Sequence, residues 1–135
     1  MNRSRLKQML LPMSTAVAQR ISLENHLSLE TLLSGSGEEH HFNGMCQAAC
    51  IASFLCEAGY GAAREGLFGD AERVLLDCRR AGIETENWRF DNASYFILAE
   101  ILTLHDTQFF ITPVRELIRA NERLKTHNAL AAQKK

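Results

Sequence analysis

Leu55-Cys56-Glu57-Ala58-Gly59-Tyr60-Gly61-Ala62-Ala63, followed by Arg64-Glu65-Gly66-Leu67-Phe68-Gly69-Asp70-Ala71, is the stretch on which the fold turns. Glycine and alanine crowd it, and Val74, Leu75 and Cys78 then return at helical spacing. Small side chains let two helix backbones approach closely, as a tight helical hairpin requires. On this reading Gly59 and Ala71 are the contact points of the pair, Gly66 frees the turn, and Phe68 fills the space beneath it. Asp70 suits the positive N-terminal end of the second helix, and Arg79-Arg80 suit its C-terminus. That helix is expected to stop at Ala81-Gly82.

Upstream, the first helix of the hairpin is expected to start at Asn43 as N-cap and to run through Met45, Ala49 and Ala52 toward Gly59. Ser34-Gly35-Ser36-Gly37 reads as a flexible stop. Before it, Val17, Ile21, Leu27, Leu32 and their neighbours fit one broken helix or two short ones, with Ser22 or Ser28 as candidate caps. Downstream, Asp91 or Asn92 can cap a helix carrying Tyr95, Phe96, Leu98 and Ile101. A break is expected near His105-Asp106-Thr107. The last helix can start at Thr112-Pro113, a natural cap followed by proline, or already include Phe109-Phe110, and its apolar face continues through Leu117, Ala120 and Leu124. The chain therefore reads as all-α, with five to six helices in one domain, 1–135. Within it lie an N-terminal helical section (1–33), a linker (34–42), helical hairpins (43–128) and a tail (129–135).

Composition bounds the function. A chain of 135 residues can bury roughly two-thirds of its extended surface. Its net charge of −1 makes no electrostatic case for nucleic acid or an anionic membrane. No apolar run approaches the roughly 18 residues that span a bilayer. The basic start, Arg3-Ser4-Arg5-Leu6-Lys7, precedes too short an apolar segment for a signal peptide and reads as a frayed helix of a cytoplasmic protein. Cys46, Cys50, Cys56 and Cys78 lie among Ala, Ile, Leu and Phe and read as reduced, packed thiols.

The hairpin resembles a tetratricopeptide repeat, whose signature places W-x2-L-G-x2-Y before A-x3-F and P within about 34 residues. Leu55 takes the tryptophan place, Ala58-Gly59 the Leu-Gly place and Ala62 the tyrosine place. Ala71 and Leu75 follow, with Ile83 at the proline place. Trp88, Asn92 and Tyr95 offer a degraded second copy. A narrower likeness begins upstream. Leu33-Ser34-Gly35-Ser36-Gly37, His40-His41, Ala49-Cys50-Ile51-Ala52-Ser53-Phe54-Leu55 and Gly59 resemble the front end of the small chaperones that hold the needle subunit of bacterial type III secretion systems. It covers residues 33 to about 81 and not the C-terminal third. The resemblance implies a tetratricopeptide-like chaperone which, with a small co-chaperone, keeps a self-assembling secreted subunit monomeric in the cytoplasm.

Such a protein lays its client's amphipathic helix in a groove. The face away from the Leu55/Gly59/Ala62 contact carries Ser53, Cys56, Tyr60 and Ala63, and Phe96 can extend it. These five residues are the expected partner-binding set, with Tyr60 offering a ring and a hydroxyl. His40, His41, Cys46 and Cys50 are close in sequence, but no C-x2-C occurs, so no metal or other cofactor is expected. No nucleophile elbow, phosphate loop or dinucleotide fingerprint is present, and the chain does not read as an enzyme. Arg115, Arg119 and Arg123 recur every fourth residue and open an alternative, a helix–turn–helix DNA binder, although Glu116 and Glu122 interrupt the stripe.

Overall fold

The computed structural model of the chain describes the backbone of residues 3–133 and the side chains of residues 4–128. Six helices follow one another: α1 (Arg3–Leu10), α2 (Thr15–Ser34), α3 (Glu39–Glu57), α4 (Leu67–Thr85), α5 (Asn92–Ile111) and α6 (Val114–Gln133). The all-helical architecture is as the sequence implies. Residues 134–135 of the expected tail lie outside the described residues.

Helices α2 to α5 form a bundle in which α3 and α5 each touch the other three. Its core joins Leu29 and Leu32 of α2, Met45 and Ala52 of α3, Leu67 and Ala71 of α4, and Leu98, Ile101 and Leu102 of α5. A smaller core, with Ala18, Leu55, Phe109, Leu117 and Ala120, seats α6 on the other side of α3. Arg123 fastens α6 there: its guanidinium lies 3.9 Å from the centroid of the Phe54 ring and donates to Glu57 at 2.6 Å. Helix α1 packs along α6, and the Val114 N–H donates to the Leu11 carbonyl at 3.0 Å.

Several boundaries differ from expectation, each for a local reason. α2 is a single helix, capped by Ser14 through the Val17 N–H at 3.3 Å, not two short pieces. α3 starts at Glu39, four residues before Asn43, because the His41 ring accepts from the Glu38 N–H at 3.0 Å. The linker thus shrinks to residues 35–38. It is a packed turn: a Cβ on Gly37 would lie 3.0 Å from the backbone of both Leu32 and Trp88. α4 continues past Gly82 to Thr85.

The repeat register placed on residues 55–62 is corrected. α3 ends at Glu57, and Gly59, at φ 94°, terminates it. The Gly59 N–H donates to Cys56 at 3.0 Å and the Tyr60 N–H to Leu55 at 2.8 Å, the paired bonds of a Schellman end. Gly59 is therefore required for its left-handed backbone. It makes no helix contact, since an added Cβ would meet nothing within 4 Å. Residues 58–66 form a loop, and Ala71 meets the bundle core from α4.

Candidate functional site

Helix α3 is flanked by α4 on one side and α6 on another, and among the described residues α4 and α6 do not touch. The space between them is an open slot of about 1030 Å³. Its floor is the α3 face carrying Asn43, Cys46, Gln47, Cys50 and Ser53, at i, i+3, i+4 spacing. Phe68, Leu75 and Leu76 wall it from α4, and Leu124 from α6. From Glu39 to Ser53 the floor is about 21 Å long at the α-helical rise.

The slot floor mixes polar side chains with the two thiols, its α4 wall is largely apolar, and charged groups stand on the walls. Leu76 and Ile83 remain 51% and 64% exposed along its α4 wall. Glu72, Arg79 and His127 stand on the walls. The floor thiols carry no charge at neutral pH: burial pushes Cys46 up to about 12, with Cys50 and Cys78 beside it adding to the shift. Burial, then Glu72, raises Cys50 as well. At one end the slot passes Trp88 and meets a second cavity, of about 470 Å³, rimmed by Glu38, Glu39 and Glu86.

Of the five residues expected to bind a partner, Ser53 alone lines this slot. Cys56 turns toward α5, where the Gln108 amide donates to its Sγ at 3.4 Å. Tyr60 lies beyond the end of α3 and packs on the α6-side core, and Ala63 packs on the main core. Phe96, 69% exposed, is on the outer face of α5 beside Tyr95. The early end of α3 separates them, because positions 60 and 63 no longer follow its helical phase. Sequence reasoning missed the slot's own residues, Cys46, Cys50, Leu76 and Leu124. The signal was the i, i+4 recurrence of Cys46 and Cys50, which reads equally as core.

His40, His41, Cys46 and Cys50 are neighbours in sequence. Among the described residues no group of three or more His, Cys, Asp and Glu side chains is arranged to hold a metal ion. His40 pairs with Glu38 at 3.4 Å on the surface. The arginines of the α6 stripe all meet carboxylates: Arg115 and Arg119 share Glu116 at 3.6 and 2.9 Å, and Arg123 holds Glu57. No described helix is long and apolar enough to cross a membrane.

Behind the slot floor, a buried polar cluster fixes the end of α3. The Gln108 amide donates to the Ala52 carbonyl at 3.0 Å and to the Tyr60 carbonyl at 2.9 Å. That fixes its Oε1 toward His105 Nδ1, 2.8 Å away, so Nδ1 carries the ring proton. Burial holds the His105 pKa below its ordinary value, against smaller opposing effects of Gln108 and Asp106. A histidine depressed by folding stabilises the protein fully above its unfolded pKa of about 6.5, and that stability is lost as pH falls below it. Urea midpoints are accordingly expected to drop between neutral pH and about pH 5.5, and His105→Gln to flatten the drop. An unchanged pH profile in that variant removes His105 as the cause.

The chain was compared with protein-family models, curated proteins and solved structures, and none matches it.

Proposed function

We propose that this chain is a protein-binding module that lays an amphipathic helix of another protein into the α3 slot. The observation that carries the proposal is the pair of helices α4 and α6 standing against α3 without touching each other. A docked helix then completes a four-helix arrangement with α3, α4 and α6, its apolar stripe on Cys46, Cys50, Leu75 and Leu76. A floor of about 21 Å accommodates roughly four turns of partner helix. The acidic end beyond Trp88 suits a cationic residue on that helix.

The client we propose is a small, helical, self-assembling subunit of a type III secretion system, held monomeric in the cytoplasm by this chain with a co-chaperone. Support for the client comes from the resemblance over residues 33 to about 81. Support for the mode of binding comes from the slot, since a covered apolar stripe is unavailable for self-assembly.

The test is co-purification from the native cell, with the slot as internal control. The full-length protein is expected to retain one small self-assembling protein in near-stoichiometric amount. Leu76→Glu and Cys50→Arg, which bring charge into the slot, are expected to weaken retention about a hundredfold, whereas Phe96→Ala, outside it, leaves retention unchanged. Equal retention by the slot variants overturns the binding mode. Retention of nucleic acid alone, released by raised salt, replaces the reading with the helix–turn–helix one.

A further inference from the structure

Two of the helices around the slot present residues to it at coiled-coil spacing. On the α3 floor Glu39, Asn43, Cys46, Cys50 and Ser53 follow one another at intervals of four, three, four and three. On α4, Glu72, Leu76, Arg79, Ile83 and Glu86 do the same. The first four of these line the slot, and Ile83 and Glu86 line the cavity that continues it past Trp88. Two seams of seven-residue period that face one open slot fit a further helix of the same period.

The α4 seam is not uniformly apolar. Leu76 and Ile83 alternate on it with Glu72, Arg79 and Glu86, so its charges run minus, plus, minus, about 10.5 Å apart at the helical rise. The first two stand over the floor, because the charge of Glu72 is felt at Cys50 and that of Arg79 at Cys46. At the third place Glu38 and Glu39 join Glu86 around the second cavity and reinforce its sign. Along another stripe of α4, Asp70 pairs with Arg73 at 3.2 Å and Asp77 with Arg80 at 3.9 Å. Glu72, Arg79 and Glu86, by contrast, make no ion pair among the described residues.

We infer that the partner helix carries the complement of this order, a cation, an anion and a cation at seven-residue intervals beside its apolar seam, and that the order selects it among amphipathic helices. The inference rests on the reading of the slot as a helix-binding groove and adds the chemistry of the occupant. Charge decides against the chain's own helices. Nowhere in the 135 residues do a Lys or Arg, an Asp or Glu, and a second Lys or Arg follow one another at seven-residue steps. The order reads the same from either end, so it selects a side-chain pattern without fixing the direction of the docked helix. Charges that flank a coiled-coil seam act in this way, setting partner choice more than affinity.

Three helical peptides of about three heptads test this. They share one leucine seam and carry Lys-Glu-Lys, Glu-Lys-Glu or Lys-Lys-Lys at the flanking heptad positions. Binding to the full chain is read by fluorescence anisotropy at about pH 8, where histidine is ordinarily neutral. Lys-Glu-Lys is expected to bind about twentyfold more tightly than Glu-Lys-Glu at low ionic strength, since three attractive pairs replace three repulsive ones. The gap is expected to narrow as salt is raised. Arg79→Glu, an exposed substitution whose folding circular dichroism checks, is expected to make Lys-Lys-Lys the tightest of the three. Equal binding of all three peptides overturns the charge order and leaves the groove standing. So does an order of preference that Arg79→Glu leaves unchanged. Binding of none overturns the inference together with the groove. A dimer of the free chain that Arg79→Glu dissociates gives the slot to a second copy and likewise overturns it.

Discussion

Gln108→Ala is expected to destabilise the protein by about 3–5 kcal/mol and to lower its Tm by more than about 10 °C. Gln108 is fully buried, and its side chain ties α5 to the end of α3 and the loop after it, 48 to 56 positions earlier in the sequence. Its amide reaches the carbonyls of Ala52, within α3, and Tyr60, just past the end of α3, while its oxygen takes the His105 N–H. Truncation leaves the half-buried Tyr60 carbonyl and the buried His105 ring proton without these partners. Each orphaned group costs about 1–3 kcal/mol, and the emptied volume adds to it. Gln108→Met separates the two terms, since it keeps most of the volume and loses every hydrogen bond. It is expected to show more than half of the alanine effect. Urea denaturation at neutral pH, followed by far-UV circular dichroism, measures both. A methionine variant as stable as the parent would mean that packing alone accounts for Gln108.

That same residue shows where the sequence misleads. His105-Asp106-Thr107-Gln108 is a polar run, and polarity at helical spacing reads as a break. The structure carries α5 straight through it, from Asn92 to Ile111, because His105 and Gln108 turn inward and satisfy one another. Periodicity records whether a side chain is apolar, and it is blind to a buried polar pair whose partner is a loop carbonyl. Capping chemistry was legible in the second half of the chain and not in the first: Asp91 caps α5 through the Ser94 N–H at 2.7 Å and Thr112-Pro113 separates α5 from α6, whereas Ser22, Ser28 and Asn43 lie inside helices. The glycines were legible as turn residues and misleading as contacts. By spacing Gly59 reads as the contact point of a hairpin, yet it ends α3 with its backbone. Gly82 reads as a helix end, yet it is where a side chain crosses close to α4. The slot was hidden for a related reason. Cys46, Cys50, Leu75 and Leu76 have the pattern of a core, and only the placement of α6 away from α4 leaves their face open. Tertiary placement of that kind has no local sequence signature.

Gly82→Leu is expected to cost about 2–4 kcal/mol, at the upper end of overpacking effects, even though removing glycine from a helix interior ordinarily gains about 1 kcal/mol. A Cβ at Gly82 would lie 2.3 Å from Cδ2 and Cε3 of Trp88, far inside van der Waals contact. The indole is held in place from other directions. Its centroid is 5.1 Å from that of Phe42, and the backbone carbonyl of Trp88 is packed close to Gly37. A rigid ring packed on Phe42 cannot yield as the tip of a lysine would, so the substitution displaces it. Trp88 is the only tryptophan, so its emission reports the event directly: the spectrum of folded Gly82→Leu is expected to move toward that of the unfolded chain. Removing the ring removes the clash. Gly82→Leu combined with Trp88→Ala is expected to lose at least about 1 kcal/mol less than the two single variants summed. Strict additivity, or an unshifted emission in Gly82→Leu, would place the cost in α4 itself. The prediction also reaches the slot, because Trp88 lines both it and the acidic cavity at its end. If a partner's cationic residue is read there, a milder Gly82→Ala, still folded, weakens the partner's grip through a tryptophan that has moved and not through any residue that touches the partner from α4.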